Sequence, residues 1–371
     1  DRSRLDAALE RLAELDPVTD FKTALVKASA KDHGRPVALL SQAEIDAYAD
    51  RMEKHAAALD EGGMTPASLV LDAPLAFNDV SAQNRWKPNN FEGTFQGEVT
   101  LRTALMNSMN VPAIRILERV GVGPAINYAR RLGFASELRP ELGLALGSSC
   151  VSMGEMVKAY ATFAAGGVQR PRTFITRIED RDGRVLLDEG HPKDPWASFD
   201  RKLKRAVRLL QAPEPRVMDA SVAFVITKLM RNVVEHGTGV AAKKVGPVAG
   251  KTGTTNDSFD AWFVGFTPDL VTAVWVGFDD YVMPMGRYEQ GGRAALPIWV
   301  DYMTRAIKHE TGEFEPPPSV VFVAIDPKTG KRAREDTAGA VREAFVRGTE
   351  PEEFVTRKGE AMPDAFFMLD N

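Results

Sequence analysis

One cysteine, Cys150, stands in 371 residues, which excludes an internal disulfide framework and any cysteine-rich metal centre. The five histidines, His33, His55, His191, His236 and His309, lack metal-ligand spacing and read as structural or surface residues. No run of about 18 apolar residues is present, so no transmembrane helix is expected within this stretch. Positive charge is not in excess: 47 basic residues face 51 acidic ones, a net charge of -4, unlike the footprint of a nucleic-acid binder. No internal repeat is evident, and no motif calls for a metal or a cofactor. The first residues, Asp1-Arg2-Ser3-Arg4-Leu5-Asp6, have neither an initiator Met nor signal-peptide character, so the chain reads as part of something longer.

What is present is an ordinary globular composition, too long for one core, so two or three units are expected. Leu5, Leu9, Leu12 and Leu15 predict a short amphipathic helix, and 42–60 a second one ending at Glu61-Gly62-Gly63. Lys22–Val26 reads as a brief strand. Thr100 is a plausible N-cap for a helix carrying Leu101, Ala104 and Leu105. Asn107–Val111 breaks that helix, and Pro112 suits the first turn of the next. Further helices are expected at Gly154–Phe163 and Val222–Val234, with a polar surface excursion over 185–215. Val245–Thr254, Asp260–Phe266 and Val271–Phe278 read as a three-stranded antiparallel meander. Pro316-Pro317-Pro318 marks a boundary before a small tail unit.

Two short clusters could carry chemistry. Gly250-Lys251-Thr252-Gly253-Thr254-Thr255 invites a phosphate-loop reading, but the required Gly falls on Val245, and a strand rather than a helix follows. Nucleotide binding is therefore rejected. The alternative is a lysine on an edge strand beside a cleft. Lys251 would supply positive potential, Gly253 would let a substrate backbone lie close, and Thr252 and Thr254 would offer hydroxyls to a carboxylate. A solvated surface lysine with a turn glycine is the plainer reading of these residues alone. In Ser108-Met109-Asn110, a hydroxyl and a carboxamide sit two apart in a helix break, able to relay a proton and to hold a peptide group. Simple helix capping is the plainer reading of that triplet.

Together and in order, the motifs change that balance. The stretch Trp86–Arg102, continuing through Ser108-Met109-Asn110, resembles the transpeptidase domain of bifunctional (class A) penicillin-binding proteins. So do Leu144–Ser149, His236-Gly237-Thr238-Gly239, Gly250–Thr255 and Asp260–Phe266. The resemblance runs unbroken over about residues 57–310. It implies an α+β fold of the serine β-lactamase/DD-transpeptidase type, an antiparallel sheet packed with helices plus a helical subdomain. It implies a peptidoglycan D,D-transpeptidase that cross-links stem peptides through a serine acyl-enzyme and is trapped by β-lactams. By that likeness Ser108 shuttles protons, Asn110 binds the donor peptide and Lys251 sets the potential. Thr252 and Thr254 would bind the terminal carboxylate, with the Thr254 N–H in the oxyanion hole. The implied organisation is a linker-domain fragment over 1–55, the transpeptidase domain over 56–315 and a C-terminal extension over 316–371. The parent would be membrane-anchored, acting in the periplasm at the extracytoplasmic face of the cytoplasmic membrane, with regulators of cell-wall synthesis as further partners.

The family's nucleophile motif, Ser-x-x-Lys, is missing: no serine here has Lys three residues on. Ser136 and Ser198 are followed at that spacing by Arg139 and Arg201, and a guanidinium cannot give up its proton to act as base. Ala57–Ser68 resembles the end of the nucleophile helix and its loop, but Ala49–His55 upstream does not, and the strands expected to pair with the meander are missing as well. Either the protein is a catalytically silent relative, or it lacks a stretch between about residues 30 and 57. Loss of scaffold and motif together favours the second. A serine β-lactamase of related fold is a further alternative. Cys150 reads as a small buried residue, Asp279-Asp280 as solvated carboxylates, and Trp262 and Trp275 as packing residues.

Overall fold

The computed structural model describes residues 24–28, 50–76 and 86–355, apart from 171, 173, 176, most of 189–214, 256–257, 279–282, 287 and 309. The helix expected over 1–16, the first half of that over 42–60, Asp279-Asp280 and three of the histidines (His33, His191 and His309) lie outside the described residues.

A four-stranded sheet lies at the centre, in the order β1 (Ala24–Ala28), β8 (Val271–Gly277), β7 (Asp260–Phe266), β6 (Ala249–Thr254). β6, β7 and β8 form the expected antiparallel meander, in register from Ala249 opposite Phe266 to Asp260 opposite Gly277. Its first strand starts later than the sequence suggests. Val240–Val245 is a 3-10 turn, and Gly246, at φ +122°, turns the chain before the strand begins. One strand does pair with the meander outside its three members: β1, parallel to β8. An open β8 edge would leave a row of unpaired backbone groups, which this five-residue run covers.

Every residue of β7 and β8 is buried, because helices cover both faces. The two-residue period divides their side chains. Trp262, Val264, Phe266, Val271, Ala273 and Trp275 join the larger core with α5 (Met153–Ala164) and α6 (Ala220–His236). Phe263, Val274 and Val276 join a second core with Leu296, Trp299 and Met303 of α7 (Leu296–Ala306). Trp262 and Trp275 are 1% exposed, and the Trp275 indole donates to the Asp260 carboxylate at 2.7 Å, as expected of packing residues.

The helical half begins with α1 (Asp50–Asp60), whose His55 and Ala56–Ala58 are buried. It packs against α3 (Asn110–Val120), α4 (Val122–Leu132) and α6. A short antiparallel pair, β2 (Leu69–Asp72) with β3 (Gly97–Thr100), leads into α2 (Leu101–Met106). Thr100 caps α2 as expected, its hydroxyl accepting from Thr103 N at 3.2 Å. α5 opens with a capping box in which Ser152 and Glu155 bond reciprocally. Burial alone would raise the Glu155 pKa. Five hydrogen bonds from Ser136, Ser152 and Ala135 outweigh it and hold the carboxyl down to about 2.

The segment expected as a polar excursion over 185–215 starts on the second strand of a small exposed hairpin, β4 (Arg177–Glu179) with β5 (Val185–Asp188). Beyond the triple proline, β9 (Val320–Ile325) and β10 (Val341–Val346) pair antiparallel and pack onto α6 and β2–α2. Glu343 of β10 is fully buried, bonded to Arg102 Nε of α2 at 2.8 Å and to Asn232 Nδ2 of α6 at 2.7 Å. The hydroxyls of Thr100 and Thr103 donate to Pro327 O beside it.

Candidate active site

The meander and the α2–α3 break form opposite walls of an open cleft of 2540 Å³, bordered by Asn90, Ser108, Asn110, Thr238, Thr252 and Thr254. On the sheet wall, Lys251 of the edge strand β6 is 4% exposed. Its ammonium donates to Ser108 Oγ at 2.7 Å and to Thr252 O at 2.9 Å. The charged side chains Lys87, Arg293, Glu92 and Glu141 border the same cleft and are exposed. Thr252 Oγ1 lies 2.7 Å from Thr238 Oγ1, tying β6 to the end of α6, and Thr254 Oγ1 accepts from Gly291 N at 3.1 Å. Gly253 is buried, and its backbone is covered by Gly291: a Cβ on Gly291 would meet Gly253 O at 2.5 Å.

On the helical wall, α2 ends in a tight reversal. Ser108 N donates to Leu105 O at 3.1 Å and Met109 N to Ala104 O at 2.9 Å, the two bonds of a Schellman motif. Met109 also packs on Ala104 and Val99, the apolar contact that accompanies such a turn. The motif puts the residue after the cap in the left-handed region, where glycine is usual, and here that residue is Ser108, at φ +56°. A side chain there costs about 1–2 kcal/mol. Keeping serine at that cost aims a hydroxyl at Lys251. Asn110, two residues on, opens α3, and its carboxamide donates to Asn89 O at 2.8 Å.

Sequence reasoning thus names Ser108, Asn110, Lys251, Thr252 and Thr254; the fold sets Ser108, Asn110, Thr252 and Thr254 on one cleft, and Lys251 reaches it through its bond to Ser108. Gly253 lies behind the wall. Missed in the sequence were Thr238, and Gly237 before it, where a Cβ would stand 2.3 Å from Met106 O. Gly237 lets the end of α6 press directly on the end of α2. The quoted His236–Gly239 run held the signal, without saying what it touches. Cys150 is a correction: it is exposed and borders the cleft. Ser149 and Val151 are buried, and alternation along this irregular stretch turns the residue between them outward.

The family model described as penicillin binding protein transpeptidase domain matches residues 54–303, about two thirds of the chain. The chain belongs to the penicillin-binding protein transpeptidase family. A second model, the C-terminal domain of penicillin-binding protein 1A, matches residues 316–359. The penicillin-binding protein 1A of Pseudomonas aeruginosa is 39% identical over 80% of this chain and 40% of its own length. That of Neisseria meningitidis serogroup A is 38% identical over 77% of this chain and 37% of its own. The chain therefore spans about two fifths of the length of these penicillin-binding relatives. Among solved structures, penicillin-binding protein 1A from Haemophilus influenzae superposes with a TM-score of 0.74 at 29% identity, covering 85% of this chain and 50% of that one. The PonA1 protein of Mycobacterium tuberculosis, solved in complex with penicillin V, shares the fold at a TM-score of 0.58 and 24% identity, over 75% of this chain and 72% of that one. The α+β transpeptidase fold follows from these matches.

Proposed function

We propose that this chain is the peptide-cross-linking part of a penicillin-binding protein of the 1A type: a peptidoglycan D,D-transpeptidase, inhibited by β-lactams, acting at the extracytoplasmic face of the bacterial cytoplasmic membrane. The observation that carries the reading is the 2.7 Å bond from Lys251 to Ser108, which joins the two walls of the cleft at its floor. A serine hydroxyl would attack the penultimate D-Ala carbonyl of one stem peptide, and the amide C–N bond would break with a proton passing to the departing D-Ala. An amine of a neighbouring stem would then attack the ester, displace the serine oxygen and return its proton. Ser108 relays those protons, Asn110 holds the donor peptide, Lys251 sets the potential, and Thr252 and Thr254 receive the terminal carboxylate. We divide the chain into a linker-domain fragment over 1–55, the transpeptidase domain over 56–315 and a C-terminal extension over 316–371. An anchor, a glycosyltransferase domain and regulators of cell-wall synthesis belong to the whole protein.

The attacking serine is not Ser108 in this scheme, and no Ser-x-x-Lys occurs in the 371 residues. The alternative is a penicillin-binding-like module that docks to cell-wall machinery without catalysis. No helix among the described residues is long and apolar enough to cross a membrane. Labelling with fluorescent penicillin tests the choice. Stoichiometric, long-lived labelling supports the transpeptidase, rapid penicillin turnover supports a β-lactamase, and no covalent adduct supports the docking module. The mass of the segment from Ala30 to Ala57, in the protein as its host makes it, decides the missing-stretch idea: a value equal to the present residues ends it.

A further inference from the structure

The first turn of α3 has no cap of its own: Met109 at the N-cap position makes no side-chain bond to it. A residue from another loop takes that place. Asn90 Oδ1 accepts from Asn110 N at 3.0 Å and from Val111 N at 3.2 Å. The same side chain is locked from its other end, Asn90 Nδ2 donating to Asp72 Oδ1 at 2.8 Å and to Thr94 O at 2.9 Å. Asp72 is fully buried, and its second oxygen accepts from Gln96 N at 2.8 Å. The orientation of the Asn90 amide is chemically forced. A carboxylate and a carbonyl accept only, two backbone N–H groups donate only, and a flipped amide would oppose all of them.

Resting on the transpeptidase reading above, we infer that Asn90, oriented by Asp72, is a positioning residue for the Ser108–Asn110 pair. It caps α3 from outside the helix and so fixes the backbone at Asn110, while the neighbouring Asn89 carbonyl holds the Asn110 carboxamide. One loop thereby sets both the start of α3 and the direction its first side chain faces. Asn90 touches no reacting atom in this role. It acts through Asn110, and Asp72 acts through Asn90.

A donor–acceptor exchange tests it in the full chain. Asn90→Ala removes the cap, Asp72→Asn sets an amide N–H against either Gln96 N or Asn90 Nδ2, and Asn90→Asp sets two carboxylates together. In the double variant Asp72→Asn with Asn90→Asp, the bond between residues 72 and 90 is remade with donor and acceptor exchanged, the N–H groups of Gln96, Asn110 and Val111 keep an oxygen to donate to, and only the bond to Thr94 O is lost. Two quantities are measured: amide exchange at Asn110 and Val111, and affinity for an acyl-D-Ala-D-Ala peptide. The three single variants should each speed exchange and weaken binding about five- to tenfold, the scale of a lost N-cap, with the double variant recovering most of both. Unchanged exchange at Asn110 and Val111 in Asn90→Ala would overturn the proposal. So would a folded double variant that binds no better than the singles. If the wild type binds no peptide, the transpeptidase reading falls, and the exchange measurements alone decide whether Asn90 sets this turn.

Discussion

Lys251 and Ser108 touch, yet the walls that carry them are held in different ways. On the sheet side, each of the six residues of β6 faces a partner on β7, and both faces of the next two strands are buried against helices. On the helical side, Ser108–Asn110 lies between two helices of six and eleven residues. Its neighbourhood is fixed by polar bonds from far along the chain: 20 residues away for Asn90 to Asn110, and 241 for Arg102 to Glu343. Register and apolar burial distribute support over many groups, whereas the helical wall depends on a few. Losing one polar group there should therefore disturb the site more than losing one of many contacts in the sheet.

The largest expected effect tests that dependence directly. Glu343→Ala strands the Arg102 guanidinium, itself 5% exposed, and should lower the unfolding free energy in urea by about 3–5 kcal/mol. A loss below about 1 kcal/mol would show that α2 needs no anchor on the C-terminal unit. Next comes Glu155, another carboxylate that pins the helical half. Its folded pKa of about 2 lies below the ordinary value of 4.5, so its contribution is complete above pH 4.5 and disappears as pH falls toward 2. That contribution is on the order of 3 kcal/mol, and Glu155→Gln should flatten this part of the stability–pH curve. A curve of unchanged slope in the variant would remove Glu155 from the set of pins. The smallest effect separates backbone from hydroxyl at Ser108. Ser108→Gly and Ser108→Ala both lose the bond to Lys251, but only glycine relieves the left-handed backbone. The glycine variant should be the more stable of the two, by about 1 kcal/mol in urea unfolding, and equal stabilities would mean the turn carries no such strain.

The same contrast decides how much could be read in the sequence. Strands β6 to β8 announce themselves as apolar runs with turn residues between them, and α6 as a helical stripe, because their partners follow from local pattern. Thr100 before an apolar face is legible for the same reason. Asp72 and Glu343 are not. Each reads as one surface carboxylate among 51 acidic residues, and only the fold shows Asn90 or Arg102 waiting for it. Taken alone, Lys251 and Ser108 each have a plainer reading, and only as members of an ordered set do they point to a site. Cys150 was misplaced because a cysteine's usual burial says nothing about an extended stretch whose neighbours on both sides turn inward.

The bond between Arg102 and Glu343 also carries a schedule. The ribosome makes Glu343 241 residues after Arg102, and later than every residue that borders the cleft. At bacterial elongation rates that gap lasts about 10–50 seconds. The sheet wall is already synthesised by then, with all its pairing partners, while α2 still has no counter-ion. The nascent chain thus passes through an interval in which one wall of the site can form and the other is unfinished. The helical wall waits for β10, which is made after every strand of the sheet wall.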